Sequence, residues 1–206
     1  MKFKVLVLII AALAMASCNA LENESTSGSM LQIISLTGND LEGNEGSATV
    51  FSDVITNNSI FNDNCVVEIR ALPLDPYTPD LKLTPYMDVL VDQIDVKFER
   101  TDGRNVEGVD VPYRFTQPVN QRVSITGTII KIPFVLIRHV AKMEAPLLAL
   151  REIPSQEFVL QLVATVTIHG KDLGGHRVAP VSGYISVWCA NFADPDTEEP
   201  EPEPEP

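Results

Sequence analysis

Carboxylate and amide side chains gather in two places in this sequence, and oxygen-rich clusters of that kind are what Ca2+, with its about six to eight oxygen ligands, requires. One cluster is Asn57, Asn58, Asn62, Asp63 and Asn64, and the other is Asp102, Asn105, Glu107 and Asp110. Neither has EF-hand spacing, and Asn and Asp favour turns for backbone reasons alone, so turn chemistry competes with calcium at both. The three histidines do not cluster. His139 and His169 fall in or at the ends of strands and His176 in a turn, and each reads as a surface imidazole. No Gly-x-Ser-x-Gly, His-Glu-x-x-His, Cys-x-x-Cys, Cys-x-x-Cys-His or glycine-rich phosphate loop occurs, which argues against hydrolase, zinc-peptidase, redox, haem and nucleotide chemistry. The expectation is a protein that is not an enzyme and has no cofactor other than candidate calcium. Tyr184 and Trp188 fall on the same side of an alternating segment and form a candidate binding face, able to stack on a sugar or pack on a partner.

The first eighteen residues decide where these groups work. Lys2 and Lys4 precede an unbroken apolar run over residues 5–15, followed by small residues ending at Cys18, the order of a secretion signal. About eleven apolar residues fall short of the roughly 20 that a membrane-spanning helix needs, so an export signal is the better reading than a retained span. Met15-Ala16-Ser17-Cys18 resembles the lipobox of bacterial lipoproteins, in which the chain is cut before a cysteine lipidated on sulfur. The resemblance implies a lipid on Cys18 and a signal peptide over residues 1–17. Asn19, in place of aspartate after that cysteine, resembles the outer-membrane sorting signal of Gram-negative lipoproteins, which implies a chain facing the periplasm or the cell surface.

Removing residues 1–17 takes Lys2 and Lys4 away and leaves 13 basic side chains against 28 acidic ones. An excess of that size opposes nucleic-acid binding, which rests on neutralising phosphates, and adhesion to anionic membrane surfaces. The membrane would be reached through lipid, and the expected partner is an envelope or surface protein. With Cys18 lipidated, Cys65 and Cys189 remain as one pair in an oxidising setting and are expected to be bridged, the alternative being two free thiols.

Residues 18–29 are polar and read as a flexible tether. Over residues 30–193 the pattern has period two. Strands are expected at 31–36, 48–55, 65–71, 94–98, 109–115, 121–127, 134–137, 158–169 and 183–191, with irregular chain through the prolines of 72–86 and an Asp-Gly turn at Asp102-Gly103. The apolar run at 134–137 reads as a central or covered strand. In the 158–169 segment Leu160, Leu162, Ala164, Val166 and Ile168 alternate with polar or smaller residues. Pro146 followed by Leu147, Leu148 and Leu150 predicts one short helix within 142–151. Residues 194–206 alternate Glu and Pro toward the end and predict a disordered, extended acidic tail.

Many strands, short turns, one helix and no βαβ alternation give an all-β fold, an antiparallel β-sandwich. His169-Gly170-Lys171-Asp172-Leu173-Gly174-Gly175 resembles the closing hairpin of bacterial immunoglobulin-like domains. It implies an immunoglobulin-like sandwich, and the body as a whole is similar to lipoproteins of environmental bacteria. The functional expectation is a membrane-anchored, non-catalytic structural or protein-binding module of the cell envelope, the alternative being a carbohydrate- or calcium-dependent binding domain.

Overall fold

Strict alternation of aliphatic and polar residues turns each strand into a surface with one apolar side, and two such surfaces must close on each other. A computed structural model of the chain, which describes residues 26–40, 44–75 and 82–192, shows that closure. The signal peptide, Cys18, most of the tether and the acidic tail lie outside the described residues.

Among the described residues nine strands form two sheets. They are β1 (Ser29–Asn39), β2 (Glu45–Ser47), β3 (Thr49–Asp53), β4 (Asp63–Pro73), β5 (Val89–Arg100), β6 (Phe115–Val123), β7 (Ile130–Ile137), β8 (Leu160–Asp172) and β9 (Arg177–Ala190). One sheet has the order β2-β1-β4-β7 and the other β3-β9-β8-β5-β6. All pairings are antiparallel except that of β3 with β9, which is parallel. The molecule is a β-sandwich.

The inward residues form a single apolar core. Leu160, Leu162, Ala164, Val166 and Ile168 of β8 and Cys65, Val67, Ile69 and Ala71 of β4 belong to it. In the 48–55 segment it is Val50, Ser52 and Val54 that turn inward. Gly38, opposite Cys65 in the β1–β4 ladder, is required by close approach: a Cβ there would lie 2.4 Å from Val50 Cγ2 and 2.8 Å from Cys65 Sγ.

Several expectations are corrected. Of the stretch expected as tether, Ser29 opens β1 and Ser27 N–H donates to Arg177 O at 3.0 Å, so this end of it belongs to the folded body. Of the two readings of 134–137, central or covered, the central one does not hold. The segment belongs to β7, which lies at the edge of its sheet, and its apolar content is explained by burial of Ile132, Phe134, Leu136 and Ile137. That edge is blunted by Pro133 and by Gln117 of β6, whose side chain donates to Val135 O at 2.9 Å and accepts from Val135 N–H at 3.1 Å. Residues 109–114 form no strand, being turn at 109–110, an isolated bridge from Val111 to Glu107 and irregular chain at 112–114, and the proline-bearing edge strand is β6, with Pro118.

The expected helix is replaced by two 3-10 segments, Ala141–Met143 and Leu147–Glu152, with a third at Pro85–Met87. Leu147 and Leu150 are buried while Leu148 is exposed, and a pair three residues apart is matched by a helix with three residues per turn.

The pole of the sandwich at the β4–β5 and β8–β9 connections is organised by Asp88. Its Oδ1 accepts from Ile125 N–H at 2.9 Å, its Oδ2 accepts from Arg122 Nε at 2.8 Å and from Nη2, and its carbonyl accepts from Leu173 N–H at 3.0 Å. Burial alone would raise this carboxyl's pKa, but the Ile125 N–H and the Arg122 guanidinium outweigh it and hold the group below its ordinary value of 3.8. The depressed folded value makes its stabilisation full above that ordinary value and lost as pH falls through the folded one. Asp88→Ala is expected to cost about 2 to 3 kcal/mol at neutral pH. The difference from wild type should shrink below pH 4 in urea titrations run across pH, about the value at which an ordinary carboxylate protonates.

Candidate functional site

Antiparallel register brings outward residues of neighbouring strands into rows across the five-stranded sheet. Phe51, Trp188 and Gln161 form one row, and Thr49, Ser186, Val163 and Glu99 the next. Tyr184, Thr165 and Lys97 make a third, and Ser182, Thr167, Asp95 and Thr116 a fourth. Tyr184 and Trp188 are four residues apart on β9, which at about 3.3 Å per strand residue separates them by roughly 13 Å along the strand.

The two aromatics are held differently. Trp188, 38% exposed, meets the Phe51 ring edge-on with centroids 5.5 Å apart, and Phe51 in turn meets Phe192 at 5.9 Å. Tyr184 is 71% exposed and sits in the hydroxyl-rich part of the face, where Thr167 and Ser182 share a hydrogen bond at 2.8 Å. Beside it Asp95, Lys97, Arg114, Thr116, Thr165 and Thr167 line a shallow depression. Asp95 is fully engaged there, accepting from Thr116 Oγ1 at 2.7 Å and Gln93 Nε2 at 2.8 Å and contacting His169 Nε2 at 2.9 Å. Burial raises its carboxyl and these donors more than offset that, so the group stays below the ordinary carboxylate range and ionised at neutral pH. The face thus offers a flat aromatic surface, hydroxyls and separated charges, which suits noncovalent recognition.

The oxygen-rich loops have other occupations. Asp102 binds the guanidinium groups of Arg100 and Arg104, with contacts of 2.6 and 2.8 Å, and is held far below the ordinary carboxylate range by them. Asn105 Oδ1 accepts from Arg100 N–H at 2.7 Å, Asp110 Oδ2 from Val106 N–H at 3.2 Å, and Glu107 faces Arg114. These four side chains turn the loop rather than converge, and among the described residues no group of three or more His, Cys, Asp or Glu is placed to hold a metal ion. In the other cluster Asn57 and Asn58 adopt positive φ, as turn residues do, and Asn62 Oδ1 accepts from His139 N–H at 2.6 Å. Each histidine has its own acceptor, His139 with Asn62, His169 with Asp95 and His176 with Asp172.

Cys65 and Cys189 both point into the core, as alternation requires, but the expected bridge is not formed; both are buried free thiols. Burial, with the nearby Asp63 charge, pushes each up to about 12, so neither is a thiolate at neutral pH. Sequence reasoning missed their polar neighbour altogether. Lys142, 1% exposed, donates to Asp63 Oδ1 at 2.8 Å and to Asp53 O at 2.7 Å, and Ser52 Oγ donates to Asp63 Oδ2 at 2.6 Å. Nothing in the local sequence around Lys142 signals burial, and Asp63 falls in a stretch that reads as polar turn.

The sequence matches no protein-family profile and no curated protein. The class established by the structure is therefore architectural: a two-sheet β-sandwich with an open, aromatic-bearing outer face.

The different settings of the two aromatics separate surface from structure. Tyr184→Ala is expected to change stability by less than about 0.5 kcal/mol, as surface substitutions do. Trp188→Ala, which removes an edge-on ring pair as well as apolar area, should cost about 1 to 2 kcal/mol in chemical denaturation.

Proposed function

We propose that this chain is a lipid-anchored protein of the bacterial outer membrane whose sandwich is immunoglobulin-like and serves as a non-catalytic module, binding an envelope or surface protein through the outer face of its five-stranded sheet. The observation that carries the binding role is the exposure of Tyr184 and Trp188 on that face, since aromatic residues are the usual anchors of protein interfaces. The lipid anchor rests on the lipobox resemblance at Cys18 and on the acidity of the chain, which leaves electrostatic attachment to an anionic bilayer unfavoured.

The immunoglobulin-like reading draws support from strand order. β1-β4-β7 against β9-β8-β5 follows the A-B-E and G-F-C grouping of such domains, with β6 where variable-type domains add a strand beside C. On that correspondence Cys65 is on the B strand but Cys189 is on G, so the B–F cysteine pairing of antibody domains has no counterpart here.

A second reading, a carbohydrate-binding face, is favoured by the hydroxyls of Thr165, Thr167, Ser182 and Ser186 around the two aromatics. The readings part in one set of measurements. For the protein module, gentle detergent extraction of native membranes should recover the full chain with a stoichiometric protein partner, lost in Tyr184→Ala, and Cys18→Ala should leave the membrane fraction. Repeated recovery of the chain alone, with a thermal midpoint raised by soluble polysaccharide, would transfer the case to the carbohydrate reading. A mature chain starting beyond residue 18 without lipid would end the anchor.

A further inference from the structure

The largest fully buried side chain among the described residues is a lysine. Lys142 reaches from the 3-10 segment after β7 to the first residue of β4, and its side chain is 2% exposed against 17% for that of Asp63. An ordinary buried ion pair surrounds both charges with further polar partners, because the desolvation cost is large. This pair has few. Nζ has Asp63 Oδ1 and the Asp53 carbonyl, and the carboxylate has Nζ and the Ser52 hydroxyl.

From this geometry we propose that Lys142 and Asp63 form an intramolecular amide, an isopeptide cross-link between the start of β4 and the turn after β7. Burial supplies the first condition. It raises the Asp63 carboxyl despite the neighbouring ammonium, favouring the acid form, and one proton moving along the Nζ–Oδ1 contact yields a neutral amine facing a carboxylic acid. Position supplies the second. The amine is held against the carboxyl by the fold, and well-oriented intramolecular reactions have effective concentrations on the order of 10⁵ M or more.

The surrounding groups fit the step. One N–H stays on the Asp53 carbonyl, which leaves the Nζ lone pair free to attack Asp63 Cγ. The electrons of the C=O bond pass to Oδ2, where the Ser52 hydroxyl already donates at 2.6 Å and can stabilise the oxyanion. Collapse re-forms the C=O bond and breaks Cγ–Oδ1. The departing oxygen takes the second amine proton and leaves as water. The products are one amide and one water, with no oxidant and no net change of redox state. The remaining amide N–H keeps its bond to the Asp53 carbonyl. The closed ring contains β4, β5, β6 and β7, and the bond itself would join two neighbouring strands of the four-stranded sheet where β4 begins and β7 ends.

The test is mass spectrometry of the full chain, denatured and digested with a protease that cleaves after lysine. A branched peptide joining Asp63 to Lys142, lighter than its two arms by one water and uncut after Lys142, is expected. Linear peptides containing Lys142 with normal cleavage, or a water loss confined to a succinimide in the Asp63 peptide, would overturn the proposal. Asp63→Ala should abolish the branched species whether or not it folds. Ser52→Ala, followed after synthesis, should slow its appearance by about tenfold or more; cross-linking at the wild-type rate would remove Ser52 from the mechanism.

Discussion

The whole molecule depends on keeping the space between its two sheets dry. The inward positions of β4, β5 and β8 are nearly all apolar, and the area thereby removed from water is the main force holding the layers together. Polar groups are pushed to the margins, where each must find a partner on the protein because few waters reach it. Gln117 closing the backbone of the β7 edge and Asp88 collecting donors from two separate segments, residues 122–125 and Leu173, are consequences of that rule. The outer face of the five-stranded sheet is exempt. Phe192 packs on it at Phe51, while Tyr184 and the rows of hydroxyls beside it remain exposed.

Much of this was readable in the residues, and the reason is periodicity. The alternation in β8 is unbroken from Leu160 to Ile168, so both its existence and its facing follow from side-chain geometry alone. The same holds for Cys65 and Cys189 pointing inward and for Tyr184 and Trp188 pointing out. Where the pattern is weak, placement depended on distant chain. Residues 134–137 are apolar enough for a central strand, yet sheet order is set by pairings that no local window contains. The leucines near 147 carry a helical signal, but only two of them are buried, three residues apart, and a 3-10 turn satisfies that. Pro180 lies within β9 where a proline is poorly tolerated, and it is accommodated because β3 pairs only with residues 186–190 and the β8–β9 register slips between Ile168 and Gly170.

The candidate site was legible in part for the same reason. Two aromatics on one side of a strand are visible to anyone counting by twos. The hydroxyls and charges beside them come from β5, β6 and β8, and only register brings Thr165 next to Tyr184. The oxygen-rich loops were legible only as composition. Composition counts oxygens, whereas a cation needs them unspent, and Arg100 and Arg104 occupy Asp102 from within the same turn.

Two aspartates at separate parts of the margin show how completely environment decides chemistry. Asp88 and Asp63 each face a cation and each accept from a further donor, and their carboxyls are displaced in opposite directions. Arg122 keeps a side chain 57% exposed, so its charge stays hydrated while it donates twice, and a backbone N–H completes the carboxylate's bonds. Ionisation is favoured there. Lys142 has surrendered nearly all its hydration, a compact ammonium loses more by this than a guanidinium does, and only one hydroxyl assists the carboxylate opposite. The first arrangement stabilises a charge pair; the second lowers the cost of abolishing both charges.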